Sequence, residues 1–243
     1  MLYVYLLVVA VFLLVAWVVN STLVRSINSY LNKEYMLMVV SQIDEPGFME
    51  KYAEAAQWAE INSYTHECYF LFRTTKFDPL MSCSAWWSER EKTWFMLYFS
   101  SGSSPAAQGE HAEKSKAEAR PAKTEYGVEF STAYENELNI TTSSLKGSLL
   151  LPMSPGKYVQ CFDKLSIAEL HEKHMQACSA LAGKNPGLKP VASKGDLMQL
   201  LAEHFQSTAR HVMSIPFWKY RGIFWWLVRQ NVLRNKPLTF RED

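Results

Sequence analysis

Glycine and proline are scarce, ten each in 243 residues, and they form no repeat, which excludes collagen-like and low-complexity chains. A charge excess is lacking too: 25 Lys and Arg face 24 Asp and Glu. General nucleic-acid binders carry a basic surplus, so no nucleic-acid partner is expected. Cys68, Cys83, Cys161 and Cys178 include no Cys-x-x-Cys pair and stand in apolar or strand-like surroundings. In a reducing compartment they read as small core residues, with two extracellular disulfides as the alternative. Gly-x-x-x-x-Gly-Lys-Ser/Thr, Gly-x-Gly-x-x-Gly and Gly-x-Ser-x-Gly are all missing. The sequence therefore nominates no catalytic residue and no cofactor.

What is present begins at the N-terminus. Met1 to Val19 is continuously apolar, and no charged side chain precedes Arg25. A helix of about 18–20 residues spans the roughly 30 Å hydrocarbon core, and in water such a run would expose apolar surface all round. A cleaved signal peptide needs a basic start, a shorter apolar stretch and an Ala-x-Ala-like site, none of which is here. The expectation is a single-pass signal-anchor. Arg25 and Lys33 lie on its C-terminal side, which places the body of the protein in the cytoplasm by the positive-inside rule. Leu23, Ile27 and Leu31 keep helical spacing through the polar stretch that follows, so the helix should continue as a stalk. Asn20-Ser-Thr and Asn139-Ile-Thr fit the glycosylation pattern, which is common by chance.

Tyr35–Val40 reads as a short buried strand. Asp44-Glu45-Pro46 reads as a helix start, with Phe48, Tyr52, Ala55 and Ala59 as an apolar stripe ending near Asn62. Aromatic-rich strands follow at 68–74, 81–87 and 93–99, then a second pair at 126–133 and 138–143. Val128, Phe130 and Thr132 alternate with Glu129, Ser131 and Ala133, as in a half-buried antiparallel strand. Residues 101–123 lack large apolar side chains and read as a mobile insertion. Ser166-Ile-Ala-Glu169 is a capping box opening a helix to about Leu181, and Ser193-Lys-Gly-Asp196 opens another to about Val212. The expected class is α+β: a transmembrane anchor and stalk (1–33), a largely antiparallel sheet domain with C-terminal helices (34–209), and a membrane-proximal segment (210–243).

Two groups of residues invite a functional reading. His171, His174 and Cys178 sit at i, i+3 and i+7 on one helix face, and His204 on the next helix would complete a tetrahedral zinc site. Against this, Ile167, Leu170, His174, Ala177 and Leu181 form one apolar stripe, and the spacing is not His-Glu-x-x-His. Packing is the reading that the pattern favours. The second group is C-terminal. No acidic residue lies between Arg210 and Arg241, while Arg221, Arg229, Arg234 and Lys236 surround Trp218, Trp225 and Trp226. Aromatic rings favour the headgroup level and basic side chains reach anionic lipid, so membrane lipid is the expected partner of this segment. Burial against the domain is the rival reading.

Function is carried as three classes. The first is a non-catalytic interaction or accessory module with a protein partner. The second is a lipid- or acyl-binding domain, in which helices cover an aromatic-lined sheet to leave an apolar pocket. A metal-dependent enzyme using the histidines is third.

Overall fold

The computed structural model of the chain describes residues 1–75, 78–101, 125–191 and 197–240. The insertion expected over 101–123, apart from Ser101, and the helix start at Ser193–Asp196 lie outside the described residues.

Helix α1 runs from Leu2 to Asn32 and stops where Lys33 turns left-handed. It is long and apolar enough, over Tyr3–Asn32, to cross a membrane. Its two halves differ in surroundings. Large apolar side chains from Tyr3 to Val18 stand exposed, whereas Leu23 and Ile27 are buried against the rest of the protein.

Strand β1 (Met36–Val40) is followed by helix α2 (Pro46–Ile61), which Pro46 opens at a position where its missing N–H costs nothing. Strands β2 (Thr65–Arg73), β3 (Met81–Ser88), β4 (Thr93–Ser100), β5 (Glu125–Ala133), β6 (Asn139–Ser143) and β7 (Lys157–Cys161) then complete a seven-stranded sheet in sequence order. Every pairing is antiparallel except β6 with β7. β7 is the strand that the sequence pattern misses. It has five residues, Lys-Tyr-Val-Gln-Cys, with no clear alternation, and it pairs only because the chain crosses back through a 3₁₀ turn at Lys146–Leu149.

Helix α3 (Ile167–Lys184) begins with the expected capping box: Glu169 N–H donates to Ser166 Oγ, and Ser166 N–H donates to the Glu169 carboxylate at 2.8 Å. Helix α4 spans Leu197–Ser214. The chain ends with a 3₁₀ turn at Trp218–Tyr220, helix α5 (Gly222–Val228) and a π-helical turn at Arg229–Leu233. The architecture is α+β.

Both faces of the sheet are covered. Phe95, Leu97, Phe99, Val128 and Phe130 pack against Phe48, Ala55 and Ala59 of α2 and Leu170 of α3. Phe70, Phe72, Trp94, Met96 and Tyr98 face the other way, toward Leu197, Leu200, Leu201 and Phe205 of α4. Strand β4 is therefore buried along its whole length, which explains its unbroken apolar run, Trp-Phe-Met-Leu-Tyr-Phe. Cross-strand partners stack along the first face: Trp86 on Phe95 at 5.0 Å, and Phe95 on Phe130 at 4.9 Å. Each such aromatic pair contributes about 1 kcal/mol beyond the area it buries. A third cluster ties Leu23 and Ile27 of α1 to Ala209 and Val212 of α4, with Trp218 and Trp225.

Candidate functional site

Helix α3 turns His171, His174 and Cys178 toward the sheet. His174 is fully buried, with Nε2 at 2.9 Å from Thr132 Oγ1 and Nδ1 at 3.0 Å from Thr142 Oγ1. Burial, aided by the neighbouring His171, holds its pKa down at about 3, so the ring is neutral. Cys178 Sγ lies 3.5 Å from the same Nε2, and burial raises the thiol. A nucleophilic cysteine needs a thiolate beside an imidazolium; here both groups are held neutral. His171 belongs to a different cluster. Its Nε2 sits 2.8 Å from Glu91, whose carboxylate also accepts from the Tyr64 hydroxyl and the Arg90 guanidinium, each at 2.7 Å. Burial would raise Glu91, but these three donors outweigh it and hold the carboxyl at about 2.

The fourth candidate ligand goes elsewhere. His204 is carried by α4 on the opposite face of the sheet, away from the α3 residues. Among the described residues no three His, Cys, Asp or Glu side chains converge to hold a metal ion.

His204 instead lines a cavity of about 1020 Å³ between the sheet, α4 and the end of α1. The cavity floor has two chemistries. On the β2–β4 side it is Phe70, Phe72, Trp94 and Met96; on the β5–β7 side it is Glu129, Ser131, Asn139, Thr141 and Lys157. Strand register produces this division, because Trp94 pairs with Ser131, Ser131 with Thr141, and Thr141 with Val159 on one face. The polar face of β5 is thus roofed by α4 instead of facing bulk water as its alternation suggested. Asn139 links the floor, donating to Ser131 Oγ at 3.1 Å and accepting from Thr141 Oγ1 at 2.9 Å. Its side chain is committed to the fold.

Enclosure perturbs the charges. Burial pushes the Glu129 carboxyl up to about 7, with a hydrogen bond from Ser143 opposing. Burial, then the nearby Lys157, lowers His204 to about 4. Burial lowers Lys157 as well, while Glu137 and Glu203 counteract. At neutral pH the His204 imidazole is therefore neutral and the Glu129 carboxyl lies near its midpoint, in a wall that also carries Lys157, Arg210, Glu135, Glu137 and Glu203. The Trp94 indole N–H and the Thr208 hydroxyl, on residues of the same wall, have no hydrogen-bond partner among the described residues. No signal in the sequence marks this site, since its wall is drawn from six strands, α4 and α1, and no one segment carries a recognisable motif.

The C-terminal candidates divide. Trp218 and Trp225 are buried against α1 and α4, whereas Trp226, Arg221 and Lys236 are exposed. Arg229 Nε donates to the Leu149 carbonyl at 2.9 Å. Arg234 lies 3.5 Å from Asp163, which Lys146 also approaches at 3.2 Å.

Compared with known proteins, the chain matches no family model, no curated protein and no solved structure.

Proposed function

We propose that this chain is a non-catalytic, single-pass membrane protein whose folded domain binds an amphiphilic small molecule, a lipid or acyl compound, in the cavity beneath α4. The observation that carries this reading is the divided floor: an aromatic half suited to a hydrocarbon chain, continuous with a polar half suited to a head group. The volume falls in the range of small-molecule sites, and a few convergent polar groups in a mostly apolar wall are the usual means of orienting a ligand. Tyr30 of α1 belongs to the same wall, ten residues beyond Asn20, so a source of lipid lies about 15 Å away if the apolar half of α1 is in a bilayer. The neutral Cys178 and His174 support binding over nucleophilic catalysis.

Full-length protein in nanodiscs, titrated with a dansyl-labelled long-chain fatty acid, tests this. Saturable emission above that of empty nanodiscs is expected, and Leu201→Trp, which fills the cavity, should abolish it. Emission no greater than with empty nanodiscs would overturn the reading.

A second reading, docking of a protein partner, is favoured by one feature. Edge strand β1 carries no charge, and Met38 and Val39 stand exposed on it. For orientation, Arg25 and Lys33 on the domain side and four unpaired cysteines support a cytoplasmic domain.

A further inference from the structure

The segment that follows α4 docks on α1 at one level. The Ile223 N–H donates to Asn20 Oδ1 at 3.2 Å, and Gly222 lies so close that a Cβ there would come within 2.7 Å of the same oxygen and 3.1 Å of Leu23. Asn20 is the first polar residue after the apolar run. From Leu2 to Val19 that run extends about 27 Å, close to the roughly 30 Å of a hydrocarbon core. A bilayer crossed by α1 therefore has its headgroup layer where α5 is attached.

At that level the segment exposes what water disfavours. Trp218 and Trp225 face inward and anchor it, while Phe217, Tyr220, Phe224, Trp226 and Leu227 point away from the protein. Phe217 is 78% exposed and adopts a left-handed backbone, φ 57°, which a bulky side chain rarely takes. Neither burial nor backbone preference in water accounts for that placement. Lys219 and Arg221 of the segment are exposed, as is Arg25, five residues or about 7.5 Å beyond Asn20 along α1. Lys236, by contrast, lies beside β7, where Asn235 and Leu238 hydrogen-bond to Cys161 and Gln160.

We propose that Phe217–Leu227 is a membrane-seating surface: its outward aromatic side chains insert at headgroup depth, and Arg25, Lys219 and Arg221 pair with anionic lipid phosphates. The proposal rests on the reading of α1 as a span and is independent of the cavity. The seat holds the domain at a fixed distance and tilt above the bilayer, where a single helix alone would leave it free to swivel.

Spin labels on the full-length chain test both parts. In a Cys68→Ser background the three remaining thiols are buried. Phe224→Cys, Leu13→Cys and Glu54→Cys are labelled in turn, and collision with oxygen is compared with collision with a water-soluble nickel complex. The nanodiscs are phosphatidylcholine alone or with phosphatidylserine. The label at 13 should be deep, that at 54 aqueous, and that at 224 intermediate, with an oxygen-to-nickel ratio several-fold above the label at 54. Lys219→Gln with Arg221→Gln should lower the ratio at 224 in the anionic discs, with the circular dichroism spectrum unchanged. A deep label at 13 with an aqueous label at 224 overturns the seat and leaves the span standing. An aqueous label at 13 removes the span and the seat together. Equal depth at 224 in both lipids, unaffected by the double substitution, overturns the ionic part.

Discussion

The imidazole of His174 bridges Thr132 and Thr142, and each hydroxyl would lose a partner without it. His174→Ala should therefore cost about 3 kcal/mol, from the cavity and the unsatisfied hydroxyls together, read as a lowered denaturant midpoint. Its pH signature has a definite sign. The folded pKa near 3 lies below the ordinary 6.5, so between those values the unfolded chain binds a proton that the native state refuses. Stability is unaffected above about pH 6.5 and falls as the pH drops toward 3, by about 1.4 kcal/mol per unit. Glu129 works oppositely: its folded pKa near 7 exceeds the ordinary 4.5, so native protonation stabilises as the pH falls from 7 to 4.5. Glu129→Gln should thus gain stability over the parent between pH 5 and pH 8, by about 2 kcal/mol, measured from urea unfolding. The same residue gives the fatty-acid titration a direction. Binding of an anionic probe should tighten as the pH falls through about 7, and Glu129→Gln should flatten the profile. The His174 stripe was legible from its 3.6-residue spacing. The Glu129 environment was not, because alternation on β5 says which side chains share a face and nothing about what covers that face.

Elements depart from their sequence pattern where distant partners decide. Helix α1 reads as one continuous helix, yet Leu23 and Ile27 are part of a core shared with α4, Trp218 and Trp225. Ile27→Ala should cost about 3 kcal/mol. A chain starting at residue 34 should lose its thermal transition, while one starting at residue 20 should retain it. Comparing the two by differential scanning calorimetry checks that α1 does more than tether. Helix α3, in contrast, carries its own start signal, and Ser166→Ala should lower stability by about 1 kcal/mol without changing the fold. The strands are intermediate. β2 to β6 were visible as aromatic or alternating runs bounded by polar turns, whereas β7 owes its conformation to its parallel pairing with β6.

For the whole molecule, two features are open to direct test. β4 and β5 meet with Ser100 opposite Glu125, so their ends are already neighbours and a short link can join them. Deleting Ser104 to Ala119, a stretch without large apolar side chains, should leave the melting temperature within a few degrees of the parent, since the length of chain joining two neighbouring strand ends changes closure entropy only slowly. The second is topology. A membrane-impermeant thiol reagent applied to intact cells should fail to label a cysteine placed at Ala106, and labelling there would reverse the proposed orientation.

Sequence alone determined the periodic features: an apolar run long enough to span a bilayer, the capping box of α3, the Pro46 start of α2 and the strands of an α+β sheet. These rest on spacing and on contacts within a few residues, so local order suffices to reveal them. Tertiary structure decided the rest. It sent His204 to the far side of the sheet from His171, His174 and Cys178, and it turned Trp218 and Trp225 inward but Trp226 outward. It also assembled a cavity from one face of α4, Tyr30 of α1 and several strands. Such sites depend on which face each helix covers, and that is fixed by the combined burial of many side chains far apart in the chain.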